Sequence, residues 1–233
     1  MEINDLPELE IIYEDNHLLG VIKPFGIPSQ PDETKDLSLP EIVKKYIKKK
    51  YNKPGEVYLG LLHRLDRPVG GITVFAKTSK AAARMSESFR NHEIKKTYIA
   101  VTVQIPQQAE RKLTHYLHKL PGKNIIKASP VNFPGAQQSE LIYKVISTRG
   151  NNALVAVYPI TGRQHQIRVQ LSSIHCGLLG DVKYASTKPL PDARIALYAY
   201  QLEFIHPVTG EKIILTAPWP SGEEWDFVGV EGL

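Results

Sequence analysis

Residues 113–158 read LTHYLHKLPGKNIIKASPVNFPGAQQSELIYKVISTRGNNALVAVY. Four runs rich in β-branched and aromatic residues, Leu113 to Leu117, Asn124 to Ala128, Ser139 to Ser147 and Ala153 to Tyr158, are separated by Pro, Gly and Asn turn signals. Such a succession predicts a large, mostly antiparallel sheet. Working outward, Ile11 to Tyr13 and Leu18 to Ile22 flank an Asp15-Asn16 turn and suit paired strands ending at Lys23-Pro24. Ile72 to Ala76, Lys96 to Val103, Ala196 to Phe204 and Ile213 to Thr216 read as further strands.

Three helices interrupt this pattern. Ser38 and Pro40 mark the start of one, in which Ile42, Val43, Tyr46 and Ile47 recur at helical spacing opposite Lys44, Lys45, Lys48 and Lys49. Thr78 or Ser79 caps a second, running to about Asn91 with Ala82, Met85 and Phe89 on one face. A third is expected from Arg163 to His175, with Ile167, Leu171 and Ile174 as its apolar stripe. Sheet with a few inserted helices predicts an α+β fold rather than a parallel alternating one. The expected organisation is an acidic extension over residues 1–10, one domain over 11–217 and an acidic tail over 218–233.

The chain has 233 residues and one cysteine, Cys176, so no intrachain disulfide or thiolate metal cluster can form. No apolar run approaches the roughly 20 residues that span a bilayer, and MEINDLPELE lacks the features of a secretory signal, so a cytoplasmic location is expected. Charge is unevenly distributed. Residues 1–16 carry six acids and 217–233 carry four, with no Lys or Arg in either, while residues 17–216 hold all 29 bases against 14 acids. A body with 29 minus 14, or 15, net positive charges attracts polyanions such as nucleic acid.

The stretch Leu61-Leu62-His63-Arg64-Leu65-Asp66-Arg67-Pro68-Val69-Gly70-Gly71 places a carboxylate between two arginines in a loop that leads into an apolar strand. Flanking cations favour the ionised form, and paired glycines allow backbone shapes closed to other residues. Other candidates carry less. His115 and His118 are three apart, which on a strand turns them to opposite faces and argues against a shared metal. Lys44 to Lys53 holds six lysines and no acid, a solvated helix face and tail, and Trp219 and Trp225 suit packing of the carboxyl terminus.

Four segments taken in order, IIYEDNHLLGVIKPFGIP, HRLDRPVGGITVFAKTSKAA, KKTYIAV and GRQHQIRVQLSSIHCGLLGDVKY, resemble the RluA-like family of RNA pseudouridine synthases from about Ile11 to Thr216. The resemblance implies a catalytic domain with a mixed, mostly antiparallel sheet, flanking helices and a central basic cleft. It implies isomerisation of uridine in ribosomal or transfer RNA after base flipping, with no cofactor and no metal. Asp66 then corresponds to the catalytic aspartate, Tyr98 to the active-site tyrosine expected against the uracil ring, and Arg168 to the arginine that pairs with the aspartate. Leu65 and Ile167 should wall the site, and His63, Arg64, Arg67, Arg163 and Gln166 should serve its architecture or contact RNA.

Two departures from the family pattern stand out. Many members follow the aspartate with a pattern ending Thr-Ser-Gly, where this chain has Pro68-Val69-Gly70-Gly71 and no serine hydroxyl, and many carry a small RNA-binding module ahead of a catalytic domain that here is preceded by about ten residues. Affinity is therefore expected to come from the catalytic domain, acting as a monomer. A carboxylate could work as a nucleophile at C1′ or by helping to remove the C2′ proton, and the sequence leaves both open. The alternative function is an idle RNA-binding or assembly factor of the same fold.

Overall fold

The structure, a computed structural model, describes residues 9–34, 36–186 and 188–230. All but Leu9 and Glu10 of the expected acidic extension, and residues 231–233 of the tail, lie outside the described residues. In chain order the elements are β1 (Ile11–Glu14), β2 (Leu18–Lys23), α1 (Leu39–Lys50), β3 (Gly60–Leu61), β4 (Gly70–Ala76), α2 (Ser79–Arg90), β5 (Lys95–Thr102), β6 (Glu110–Lys119), β7 (Ile126–Ser129), β8 (Gln137–Arg149), β9 (Asn152–Pro159), α3 (Gln166–Ser173), β10 (Leu197–Ile205) and β11 (Lys212–Thr216). This is the α+β pattern expected, and the described residues form two compact units: 9–94 with 199–218, and 95–198 with 219–230.

In the first unit the strands follow the order β1-β2-β4-β10-β11, with β3 on β4. Leu18 opposes Ala76 and Lys23 opposes Gly71 along the β2–β4 ladder. Every residue of β2 and β4 is buried, which explains their continuous apolar runs in place of alternation. Helix α1 covers part of this sheet with Leu39, Val43 and Ile47, which pack with Leu19, Val21, Val57 and Phe75. Each such side chain contributes roughly 1.5–3 kcal/mol relative to exposure. At the helix start the Glu41 carboxylate accepts the Ser38 backbone N–H at 2.8 Å and the Ser38 hydroxyl at 2.5 Å.

The lysine run divides between two roles. Lys44, Lys45, Lys48 and Lys49 are exposed, whereas Lys50 reaches Glu14 at 2.6 Å. Lys77, Tyr46 and Tyr51 converge on the same carboxylate at 2.9, 2.9 and 2.7 Å. Burial alone would raise the Glu14 pKa, but the bonds from Lys50, Tyr51, Lys77 and Tyr46 hold it down at about 2. Helix α2 is capped by Thr78, whose hydroxyl oxygen accepts the Ala81 N–H at 3.3 Å. It buries Ala81 and Met85; Ala82 and Phe89, expected on that face, are only partly covered.

The second unit has the strand order β5-β9-β8-β6-β7, antiparallel throughout. Strands β6 to β9 are the four expected from residues 113–158; β6, β8 and β9 are longer than expected by up to a few residues at each end, whereas β7 begins at Ile126, two residues later than the expected Asn124. His115 meets the α3 side chains Gln170 and Ser173, while His118 meets the Phe133 ring edge-on, so the two histidines do diverge. The tail residues dock on this unit. Trp225 is buried, Glu224 pairs with Arg194 at 2.9 Å, and Arg149 donates to the Asp226 and Glu223 carbonyls at 2.7 and 2.6 Å. No helix among the described residues is long and apolar enough to cross a membrane.

Candidate active site

The candidate residues fall into two groups, one in each unit. In the first, Asp66 lies in the loop from β3 to β4, half-buried between the buried Leu65 and Val69. The backbone on either side is closed by hydrogen bonds. Before Asp66, the Ser29 hydroxyl donates to the Leu65 carbonyl at 2.7 Å and accepts the Leu65 N–H at 3.1 Å. After it, the Val69 N–H returns to the Asp66 carbonyl at 2.9 Å, and the Gly26 N–H donates to the Arg67 carbonyl at 3.0 Å. That carbonyl also accepts from Lys23 Nζ at 3.1 Å, and the same ammonium donates to Ile27 and Pro24 carbonyls at 2.7 and 3.0 Å.

Lys23 is fully buried, and burial, opposed by Asp66 and reinforced by Arg67, pushes its pKa down to about 7. Three donors meet three carbonyls, so the cation is satisfied without a carboxylate partner among those bonds. The Arg67 guanidinium binds the Gly26 carbonyl at 2.9 Å, Thr34 at 3.0 Å and Asp36. Arg67 therefore ties the loop to residues 26–36. Arg64 is exposed and donates to Gln30 at 2.7 Å, while His63 Nε2 accepts the Val74 N–H at 3.0 Å and its ring stacks on Phe89 at 4.9 Å. His63 thus closes a backbone group of β4, an architectural task.

Val69 is a buried, apolar side chain, 2% exposed. Gly71 follows with φ +111°, and a Cβ there would stand 2.3 Å from the Ala199 carbonyl oxygen. Only glycine fits this crossing of β4 and β10.

In the second unit, Tyr98 lies on β5 opposite Val157, half-buried, on the same face as Lys96 two residues before it. Burial lowers the Lys96 pKa. Helix α3 begins at Gln166, later than the expected Arg163, because His165 holds a left-handed φ of +53° that ends the helix there. Gln166 supplies what the missing turn would have supplied: its Oε1 accepts the Thr161 hydroxyl at 2.7 Å and the Arg163 N–H at 2.9 Å, and its Nε2 donates to the Glu140 carbonyl at 2.9 Å. Both ends of its amide are engaged within the protein, so Gln166 is a builder of the loop. Arg163 is exposed, and Ile167 is buried.

All six residues from Gln166 to Leu171 are buried, a helix without the polar face that its stripe predicts. Arg168, only 6% exposed, forms a bidentate pair with Asp181 through Nε at 2.8 Å and Nη2 at 2.9 Å, with its guanidinium carbon 5.1 Å from the Tyr184 ring centre. Among the described residues no group of three or more His, Cys, Asp or Glu could hold a metal ion.

A family model described as RNA pseudouridylate synthase matches residues 17–173. The chain belongs to the RNA pseudouridylate synthase family. Within it, the chain is 30% identical over 213 residues to ribosomal large subunit pseudouridine synthase C of Rickettsia bellii (strain RML369-C), covering 91% of this chain and 68% of that one. It is 32% identical over 232 residues to ribosomal large subunit pseudouridine synthase D of Zymomonas mobilis, covering 94% and 71%. The chain thus spans about two thirds of the length of these RluA-like relatives. Among solved structures, human RNA pseudouridylate synthase domain containing 4 superposes with a TM-score of 0.76 at 27% identity, over 91% of this chain and 88% of that one. The fold is accordingly that of a pseudouridine synthase domain, and the family's enzymes are isomerases.

Four residues that hold the candidate groups in place escaped sequence reasoning: Lys23, Ser29, Asp181 and Tyr184. Lys23-Pro24 read only as a strand end, although a lysine closing an apolar strand signals a buried amine in need of acceptors. Asp181 and Tyr184 belong to GDVKY, a segment that carries the resemblance but suggests no task by itself.

Proposed function

We propose that this chain converts uridine to pseudouridine within structured ribosomal or transfer RNA, in the cytoplasm, as a monomer with residues 11–217 as the catalytic domain and no cofactor. The reaction breaks the N1–C1′ bond, forms a C5–C1′ bond, releases the C5 proton and gives one proton to N1, so atoms balance and no electrons are exchanged. A carboxylate is enough to start it, at C1′ as nucleophile or at the C2′ proton as base. Asp66 is that carboxylate. The observation that carries this reading is the half-buried Asp66 side chain on a loop whose backbone is closed on both sides by Ser29, Lys23 and Gly26, in a chain of this family.

Tyr98 stacks against the detached uracil, and its hydroxyl takes up the C5 proton. Arg168, following the resemblance, is the cationic partner that keeps the catalytic aspartate ionised. Leu65 and Ile167 exclude water, and the exposed Arg64 and Arg163 contact RNA phosphates, with Arg67, His63 and Gln166 holding the loops that carry them. Extruding the base costs a few kcal/mol, which aromatic stacking and phosphate contacts offset.

The test is to incubate the purified chain, beside Asp66→Asn, with unmodified ribosomal and transfer RNA and to map pseudouridine by carbodiimide-blocked primer extension. A stop made only by the wild type is expected, and its position names the target. RNA binding without any stop would favour an idle RNA-binding factor.

A further inference from the structure

We propose that Asp181 and Tyr184 are positioning residues that fix the orientation of Arg168 for the reaction; the inference rests on the reading of Arg168 as the partner of the catalytic aspartate. Asp181 is 1% exposed, and both of its carboxylate oxygens are spent on Arg168, at 2.8 and 2.9 Å. A bidentate pair fixes the plane and roll of a guanidinium as a single bond cannot. The Tyr184 ring, 5.1 Å from the guanidinium carbon, then covers one face.

Both residues are themselves held. The Asp181 carbonyl collects the N–H groups of Tyr184, Ala185 and Ser186 at 3.2, 2.9 and 2.9 Å, which makes residues 181–186 one tight turn. Gly180 enters that turn with φ +80°, and a Cβ there would stand 2.8 Å from the Arg194 carbonyl oxygen. The Tyr184 hydroxyl bonds His165 Nδ1 at 2.6 Å and accepts the Ile126 N–H at 3.0 Å, and its carbonyl accepts the Ser172 hydroxyl at 2.6 Å. His165 stands three residues before Arg168, so one tyrosine braces both the start of α3 and the arginine on it.

A buried ion pair is a weak source of stability, because desolvating both charges offsets most of their attraction and apolar residues of the same volume often do as well. The arrangement is better explained by geometry, since a small misplacement of a reacting group costs rate while binding is retained.

The test measures kcat and KM for pseudouridine formation on the RNA that the wild type modifies, using Asp181→Asn, Tyr184→Leu, Arg168→Lys and the two double variants with Arg168→Lys. Asp181→Asn is expected to lower kcat about a hundredfold and Tyr184→Leu about tenfold, with KM changed less than about threefold. Because both act through Arg168, each double variant should match Arg168→Lys alone within about twofold. Unchanged kcat in folded Asp181→Asn, or losses that multiply in the double variants, would overturn the proposal. Should Asp181→Asn fail to fold, the Tyr184→Leu cycle decides by the same criterion. An inactive wild type would overturn the pseudouridine synthase reading and this inference with it, whereas an active wild type beside an equally active Asp181→Asn overturns only the inference.

Discussion

The Ser29 hydroxyl closes both backbone polar groups of Leu65, donating to its carbonyl at 2.7 Å and accepting its N–H at 3.1 Å, one residue before Asp66. Ser29 is 5% exposed and so is Leu65, so no water replaces the hydroxyl when it is removed. Ser29→Ala should therefore destabilise the fold by roughly 1–3 kcal/mol through the orphaned Leu65 groups. It should also lower kcat by loosening the peptide that carries Asp66. Urea unfolding beside single-turnover rates checks both, and a variant of wild-type stability and rate would show that the clasp is dispensable.

Lys23 gives a pH signature. Its pKa in the folded chain, about 7, lies below the 10.5 of an exposed lysine, so between those values the unfolded chain binds a proton that the native state lacks. Lys23 therefore penalises folding below pH 7, and the penalty is relieved as pH rises, by up to about 1.4 kcal/mol per pH unit within the window. Lys23→Met removes the titrating group. Unfolding free energies of the two proteins between pH 7 and 10 should diverge with that sign, the wild type gaining on the variant; parallel curves would contradict the buried, desolvated amine.

Gly71 and Gly26 separate two costs of a positive φ. Alanine at Gly26, φ +81° with nothing within 4 Å of the added Cβ, should cost about 1–2 kcal/mol from conformation alone. Alanine at Gly71, φ +111°, would also drive its Cβ to 2.3 Å from the Ala199 carbonyl oxygen and should cost about 3 kcal/mol or more. Thermal unfolding of both variants reads the difference, and equal losses would mean that the β4–β10 crossing yields freely.

Sheet and helices were legible because burial writes itself into sequence: β2 and β4 are covered on both faces and read as unbroken apolar runs, and α1 announces itself through Ser38, Pro40 and a lysine face. The start of α3 was not legible. His165 adopts a left-handed conformation and the Gln166 amide replaces backbone bonds, and neither choice leaves a periodic trace. Asp66 was visible because its arginines and glycines are neighbours in sequence. Asp181 was hidden because its partner, Arg168, is thirteen residues away and buried, where spacing patterns convey nothing about pairing.

The most direct measurement of the central claim follows the hydrogen that must leave uridine C5. Ribosomal and transfer RNA carrying tritium at that carbon should release it to water in proportion to the uridines converted when mixed with the wild-type chain, and not at all with folded Asp66→Asn. Release by Asp66→Asn at the wild-type rate would contradict the assignment of Asp66 as the catalytic carboxylate.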